Sequence, residues 1–146
     1  MKMLEFKKIL VPYDGSSYAK KALAVAADTA RLIPGAELFI ATVAPAEEPK
    51  EKVRITKSAA PDEPPPKNPG EILLDEADKL VPEEIPRHLI LRVGDPGEEL
   101  VALTLQKPFD LIIMGSRGRG ALKSLLMGSV SSHLVSNVKC SVFIIK

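Results

Sequence analysis

A chain of 146 residues is long enough for one domain with a proper core and too short for two ordinary ones. Apolar residues make up 45% and charged residues 27%, and the net charge of +1 lacks the basic excess of a duplex-binding surface, while the absence of tryptophan argues against a stacked single-strand platform, so no nucleic-acid partner is expected. The lone Cys140 excludes an intramolecular disulfide, no apolar run reaches the roughly 18 residues of a membrane span, and Met1 to Lys8 is charged without a signal-like apolar stretch, so a cytoplasmic protein with no membrane partner is expected.

Strand and helix signals alternate along the chain. Ile9 to Tyr13 is a short apolar run rich in strand formers, and Asp14-Gly-Ser-Ser17 reads as a turn with helix-capping residues. Ala19, Ala22, Leu23, Ala26, Ala30 and Ile33 then recur at helical spacing until Pro34-Gly35 stops the helix. Glu37 to Ala44 is a second apolar run. A second helix is expected from about Gly70 to Leu80. His88 to Val93 forms the third run, followed by Gly94-Asp-Pro96 and a helix from about Gly97 to Gln106. Asp110 to Met114 is the fourth run. Leu122, Leu126, Val130 and Leu134 fall on one face of a helix expected from about Leu122 to Val138, and Ser141 to Ile145 is the last strand.

Apolar runs without alternation are strands buried on both faces, and strands joined through helices must be parallel. The expectation is an α/β fold: a single doubly wound domain spanning 1–146, its five-stranded parallel sheet in the order 3-2-1-4-5, with helices on both faces. That order puts the switch point between the first and fourth strands. Ligands in such sheets sit outside the carboxyl ends of the strands at that point, which here are the turn at Asp14 and the loop at Gly115.

One segment does not suit a compact α/β unit. Pro45 to Pro69 holds seven of the 13 prolines, and proline removes backbone donors. A mobile loop is expected over 45–69, either a tolerated insertion or a lid beside the site.

The stretch from Met114 to Val130 follows a strand and ends in a helix. Gly115, Gly118 and Gly120 are expected to turn the backbone with positive φ and to allow close approach of a ligand. Converging N–H groups, together with Gly128 and Ser129 near a helix start, suit phosphate oxygens. Arg117, Arg119 and Lys123 add positive charge. The loop lacks the Gly-Lys-Ser/Thr end of a Walker loop, and its glycines follow the fourth strand rather than the first, unlike the dinucleotide fingerprint. Glycines alone would equally serve only to turn the chain.

The spacing is more specific. Gly115-Ser-Arg-Gly118, nine residues, then Gly128-Ser129 resembles the nucleotide motif of the universal stress protein family, Gly-two-Gly-nine-Gly-Ser/Thr. Lys8 to Ser16 resembles that family's opening strand and turn, Val93-Gly-Asp-Pro96 its Val-Gly-x-Pro turn, and Asp110 to Gly118 with Leu126 to Ser131 its phosphate loop. Only the proline-rich segment departs. The resemblance implies an ATP-binding branch. On it, Asp14 lies by the ribose and phosphates, with Mg²⁺ as a metal it would hold. Pro12 and Val43 line the adenine pocket, Val43 offering backbone groups, and Gly94 borders the base. Met114, Gly115, Arg117, Gly118, Gly128, Ser129, Val130 and Ser131 complete the set at the ribose and phosphates.

Neither His88 nor His133 falls in the site loops, and no Ser-His-Asp set or Cys/His cluster is brought together. A nucleotide-dependent regulatory module in stress response, acting on an unknown protein partner, is therefore expected rather than an enzyme. A slow Mg²⁺-dependent ATPase or phosphotransferase and a nucleotide-free dimeric scaffold are the alternatives. Ser141 to Ile145 reads as an apolar edge strand, which invites pairing, and the resemblance implies a homodimer through it.

Overall fold

Strands and helices alternate in the computed structural model, which describes residues 5–46, 67–118 and 127–146. In chain order they are β1 (Lys8–Pro12), α1 (Ser17–Leu32), β2 (Glu37–Ala44), α2 (Pro69–Leu80), β3 (Arg87–Val93), α3 (Pro96–Gln106), β4 (Leu111–Gly115), α4 (Ser129–Asn137) and β5 (Ser141–Ile145). All neighbouring strands pair in parallel, in the order β3-β2-β1-β4-β5. This is the doubly wound sheet that the alternation of apolar runs and helical stripes implies.

The two faces of the sheet explain why the central strands are apolar throughout. Successive side chains point to opposite faces. Ile9, Val11, Leu38, Ile40, Leu111 and Ile113 pack against α1 and α2, whose buried faces are Ala22, Leu23, Ala26, Ala30, Leu74 and Ala77. Leu10, Phe39, Ala41, Ile112 and Met114 pack on the other side against Leu100 and Leu103 of α3 and Leu134 of α4. The alanines of α1 let the helix lie close on the sheet. The edge strands differ: β3 and β5 are partly exposed along their length, and Phe143 of β5 meets Phe6 edge to face at 6.0 Å.

Local signals set the helix starts. Ser16 accepts from the Ala19 N–H at 3.1 Å. Asn68 and Glu71 form a reciprocal capping box with Pro69 in the first turn, and Asp95 accepts from the Glu98 N–H at 3.0 Å ahead of Pro96. Two boundaries depart from the sequence reading. Pro69 belongs to α2, because Asn68 rather than Gly70 begins the cap; residues 47–66 of the expected 45–69 loop lie outside the described residues. The last helix begins at Ser129, not near Leu122. Gly128 is extended (φ −73°, ψ 168°), so its N–H reaches the Ser116 carbonyl instead of a preceding turn of helix; residues 119–126 lie outside the described residues.

At the opposite end of the sheet from the loop, Asp110 Oδ2 accepts from the N–H groups of Lys7 and Lys8 at 3.1 and 2.9 Å, clipping the start of β1 to β4. Asp110→Ala removes the shared acceptor of both bonds from an exposed position that water can reach, so urea denaturation is expected to show a loss of about 1 kcal/mol with an unchanged m value.

Candidate functional site

A cavity of about 430 Å³ opens where β1 and β4 part at their carboxyl ends, a size within the usual range of small-molecule sites. It is bordered by the carboxyl ends of β1, β2 and β4 and by the first residues of α3 and α4.

The β1 side is built around Tyr13 and Asp14. Tyr13 leaves the strand but keeps one ladder bond, its N–H donating to the Ala41 carbonyl at 2.8 Å. The buried Thr42 hydroxyl donates to the Tyr13 carbonyl, also at 2.8 Å. That carbonyl is the acceptor a continuing ladder would present to the Val43 N–H. Backbone groups of alternate residues in a parallel strand face the same neighbour, so Val43, two residues after Ala41, turns its N–H and C=O toward the space β1 has left. A donor and an acceptor thus stand side by side at the cavity wall. Asp14 then folds back, its Oδ1 accepting from the Ser16 N–H at 2.9 Å in an Asx turn that precedes α1.

The β4 side is held by Ser116, which is buried. Its N–H donates to the Ile145 carbonyl at 2.8 Å, and its carbonyl accepts from the Gly128 N–H at 2.6 Å and the Ser131 hydroxyl at 3.0 Å. The chain that departs after Gly118 is therefore drawn back at Gly128 to the strand it left. This places the first turn of α4 beside the end of β4. Unlike α1, α2 and α3, α4 has no side-chain cap, so its leading N–H groups carry the positive end of the helix dipole without a side-chain acceptor.

The glycines serve a different purpose from the one their clustering suggests. Positive φ occurs, among the described residues, at Gly15, Gly35 and Gly94, not at Gly115, Gly118 or Gly128. What Gly115 and Gly118 provide is space. A Cβ on Gly115 would lie 2.6 Å from Tyr18 Cβ and 2.9 Å from the Tyr18 carbonyl carbon, so this glycine lets α1 press on the end of β4. A Cβ on Gly118 would lie 2.6 Å from Asp14 Oδ2, which makes Gly118 and Asp14 opposite walls of one narrow gap.

Pro12, Asp14, Val43, Met114, Gly115, Arg117, Gly118, Gly128, Ser129, Val130 and Ser131 all line the cavity, as the order of strands brings the two loops together. Gly94 does not: it sits in the β3–α3 turn at φ 141°, donates its N–H to the Ala44 carbonyl at 2.9 Å, and packs against Glu99, while Pro96 two residues on reaches the cavity. Ser131 is 2% exposed and its hydroxyl lies 3.0 Å from the Ser116 carbonyl and 3.2 Å from the Gly128 carbonyl, so its one proton is engaged within the chain and it retains only acceptor capacity toward the cavity. Arg119, Gly120 and Lys123 lie outside the described residues. Sequence reasoning missed Tyr13, Thr42, Leu73, Leu100 and Ser116. Thr42, a hydroxyl within an apolar run, was the one legible signal; Leu73 and Leu100 look like any other core leucine on a helical stripe.

The remaining reactive side chains are elsewhere. His88 stacks on Phe39 with ring centres 4.5 Å apart, and His133 packs against Gly97 between α4 and α3. Burial pushes the Cys140 thiol up from its ordinary value, which disfavours the thiolate. Among the described residues no group of three potential metal ligands converges, and no helix is long and apolar enough to cross a membrane.

Sheet order and the cavity's place define a doubly wound α/β domain with a crevice at its switch point. The chain belongs to the universal stress protein family, whose model matches residues 5–146. A universal stress protein of Thermus aquaticus, that in the QAH/OAS sulfhydrylase 3′ region, is 35% identical over 155 residues, covering 97% of this chain and 99% of its own. The solved structure of MJ0577 superposes with a TM-score of 0.72 at 29% identity over 97% of this chain and 96% of that one; MJ0577 is a universal stress protein of Methanocaldococcus jannaschii. An Archaeoglobus fulgidus universal stress protein solved in complex with dAMP shares the fold, with a TM-score of 0.67 at 19% identity over 99% of this chain and all (100%) of that one.

Gly115→Ala drives a methyl group into Tyr18 backbone that cannot rotate away. Thermal or urea unfolding is expected to show a loss of roughly 1–3 kcal/mol, with or without any ligand present.

Proposed function

We propose that the crevice binds ATP and that the chain acts as a nucleotide-dependent regulatory or sensor module. The observation that carries this reading is the pairing of two unlike ends in one cavity. At one end Val43 offers a backbone donor and acceptor between the apolar walls of Pro12, Leu100 and Met114, which suits the edge and faces of an adenine. At the other, the α4 N-terminus without a side-chain cap, with Arg117 beside it, suits phosphate. A relative of the same fold solved with dAMP supports an adenine nucleotide as the ligand class.

The donor set also fits a phosphate-bound magnesium ion. Mg²⁺ keeps several waters and is held by one or two carboxylates together with substrate phosphates, and Asp14 is the carboxylate that lines the described part of the cavity. When bound, the ion would neutralise phosphate charge next to the Asp14–Gly118 gap. The chain's own contribution is positional. Asp14 is oriented by its Asx turn, Ser131 and Ser116 hold the loop, and the α4 N–H groups meet the anion. With both histidines outside the described lining, the side chains there support holding a nucleotide better than activating a nucleophile for its hydrolysis.

Binding would then bias the loop between Gly118 and Gly128, whose ends are the residues that touch the ligand, and a protein partner would read the biased surface. A ligand shifts such an equilibrium only by its differential affinity for the two states. The same proposal extends to assembly: β5 pairs with β4 on one side, its other backbone edge is unpaired among the described residues, and Phe143 is 42% exposed, which suits a two-fold homodimer through residues 141–145. A cytoplasmic setting fits both parts of the reading.

Calorimetric titration of nucleotide-free protein is expected to give saturable binding of ATP, ADP and AMP, strengthened by Mg²⁺ for ATP. Gly118→Ala, which forces its methyl group against the Asp14 carboxylate, is expected to weaken ATP by about tenfold or more while leaving the melting temperature nearly unchanged. No binding by the wild-type chain would sink the nucleotide reading, and steady multiple turnover abolished by Asp14→Ala would replace it with an ATPase. Light scattering at micromolar concentration is expected to report a dimer, and Phe143→Glu a monomer.

A further inference from the structure

Tyr13 is 2% exposed and belongs to the core on the α1–α2 side of the sheet, yet it carries a hydroxyl that burial obliges to find a partner. That partner is on α2: the hydroxyl donates to Glu76 Oε1 at 2.7 Å, a charge-assisted bond. Lys20, in the first turn of α1, approaches the same oxygen at 3.1 Å. The end of β1, the start of α1 and the middle of α2 thus meet at one carboxylate. Glu76 itself does not line the cavity; Tyr13 and, one turn before Glu76, Leu73 do.

Three of the bonds on Tyr13 act in different directions. Its N–H to Ala41 and its C=O from Thr42 both run to β2, within the sheet. Neither strongly resists displacement of the chain out of the sheet, away from α1 and α2. The hydroxyl, anchored on α2, does. The next residue is Asp14, whose Oδ2 stands against Gly118 so closely that a single added methyl group would lie 2.6 Å away. A shift of a few tenths of an ångström at Tyr13 is felt across that gap.

We infer that Glu76 is a positioning residue of the crevice: by holding the Tyr13 hydroxyl it sets the place at which the chain turns into Asp14, and with it where the Asp14 carboxylate stands against Gly118 at the phosphate end of the crevice. The inference rests on the nucleotide reading and deepens it, since it assigns α2 to the phosphate end of the site rather than to the base. The Lys20–Glu76 pair contributes less, because both side chains are substantially exposed, at 50% and 38%.

The experiment compares adenosine with ATP across Tyr13→Phe, Glu76→Leu, Glu76→Gln and the double variant Tyr13→Phe/Glu76→Leu, with melting curves for each. Tyr13→Phe and Glu76→Leu are each expected to weaken ATP by about tenfold while adenosine changes by less than about twofold, the size of a lost hydrogen bond to a charged group. Glu76→Gln keeps an oxygen for the Tyr13 hydroxyl and is expected to stay near wild type. The double variant is expected to be no worse than either single one, because both remove the same bond. Without any ligand, amide exchange at Ser16, whose N–H is held by Asp14, is expected to quicken in Tyr13→Phe. Equal weakening of adenosine and ATP, additive losses, or unchanged Ser16 exchange would each overturn the inference. A wild-type chain that binds neither ligand, with Ser16 exchange still responding, would overturn the nucleotide reading and the phosphate role, and leave Glu76 as the anchor of the turn alone.

Discussion

The carbonyl of Ser116 is the point on which the site depends. It lies just past the end of β4, receives the Gly128 N–H and the Ser131 hydroxyl, and has its own N–H committed to Ile145 at the end of β5. Buried backbone groups must be paired, and here that demand is met by residues more than ten positions further along the chain. The loop is thereby closed at its neck, whatever its tip does. Because Gly128 gives its N–H to Ser116, it is extended, and the helix can begin only at Ser129. The direction of α4, and hence where its dipole points, follows from that one bond.

From this constraint the division of labour in the crevice follows. β1 and β4 are neighbours in the sheet, yet their chains go to opposite sides, β1 into α1 and β4 into the loop that leads to α4. The space between them has one wall made of the Asp14 turn and another made of Gly118 and the start of α4. Glycine at 115 and 118 is required by close approach, not by left-handed backbone: at 115 by α1, at 118 by the Asp14 carboxylate. Main-chain groups of Val43 and of the start of α4 border the crevice together with the side chains of Asp14, Arg117 and Ser129. Main-chain groups recognise shape and charge without offering acid–base chemistry.

The same economy of side chains appears in the supports. Thr42, Ser131 and Tyr13 each use one hydroxyl to satisfy or anchor backbone at the mouth of the cavity. These are buried positions, and each polar atom there has a partner; among the described residues no buried side-chain nitrogen or oxygen is left without one.

Much of this was legible from residues alone. Continuous apolar runs specified parallel strands covered on both faces, because a strand such as Ile9-Leu-Val11 can be apolar at every position only if both of its faces meet helices. Capping residues in Asp14-Gly-Ser-Ser17 marked the start of the first helix. The doubly wound order then put the turn at Asp14 and the loop at Gly115 at one crevice. Tertiary structure decided what local pattern cannot express. The amphipathic stripe suggested a helix running unbroken to Val138, whereas Gly128 is extended against the Ser116 carbonyl and α4 starts at Ser129. Gly94 carries the turn between β3 and α3 and stands off the cavity, since its neighbour Glu99 takes the space beside it. Tyr13 and Glu76 are 63 residues apart in the chain, and only the packing of α2 beside β1 brings a phenol to a carboxylate. Periodicity and spacing report which face a residue occupies, whereas the partner of a buried polar group is chosen by the fold as a whole.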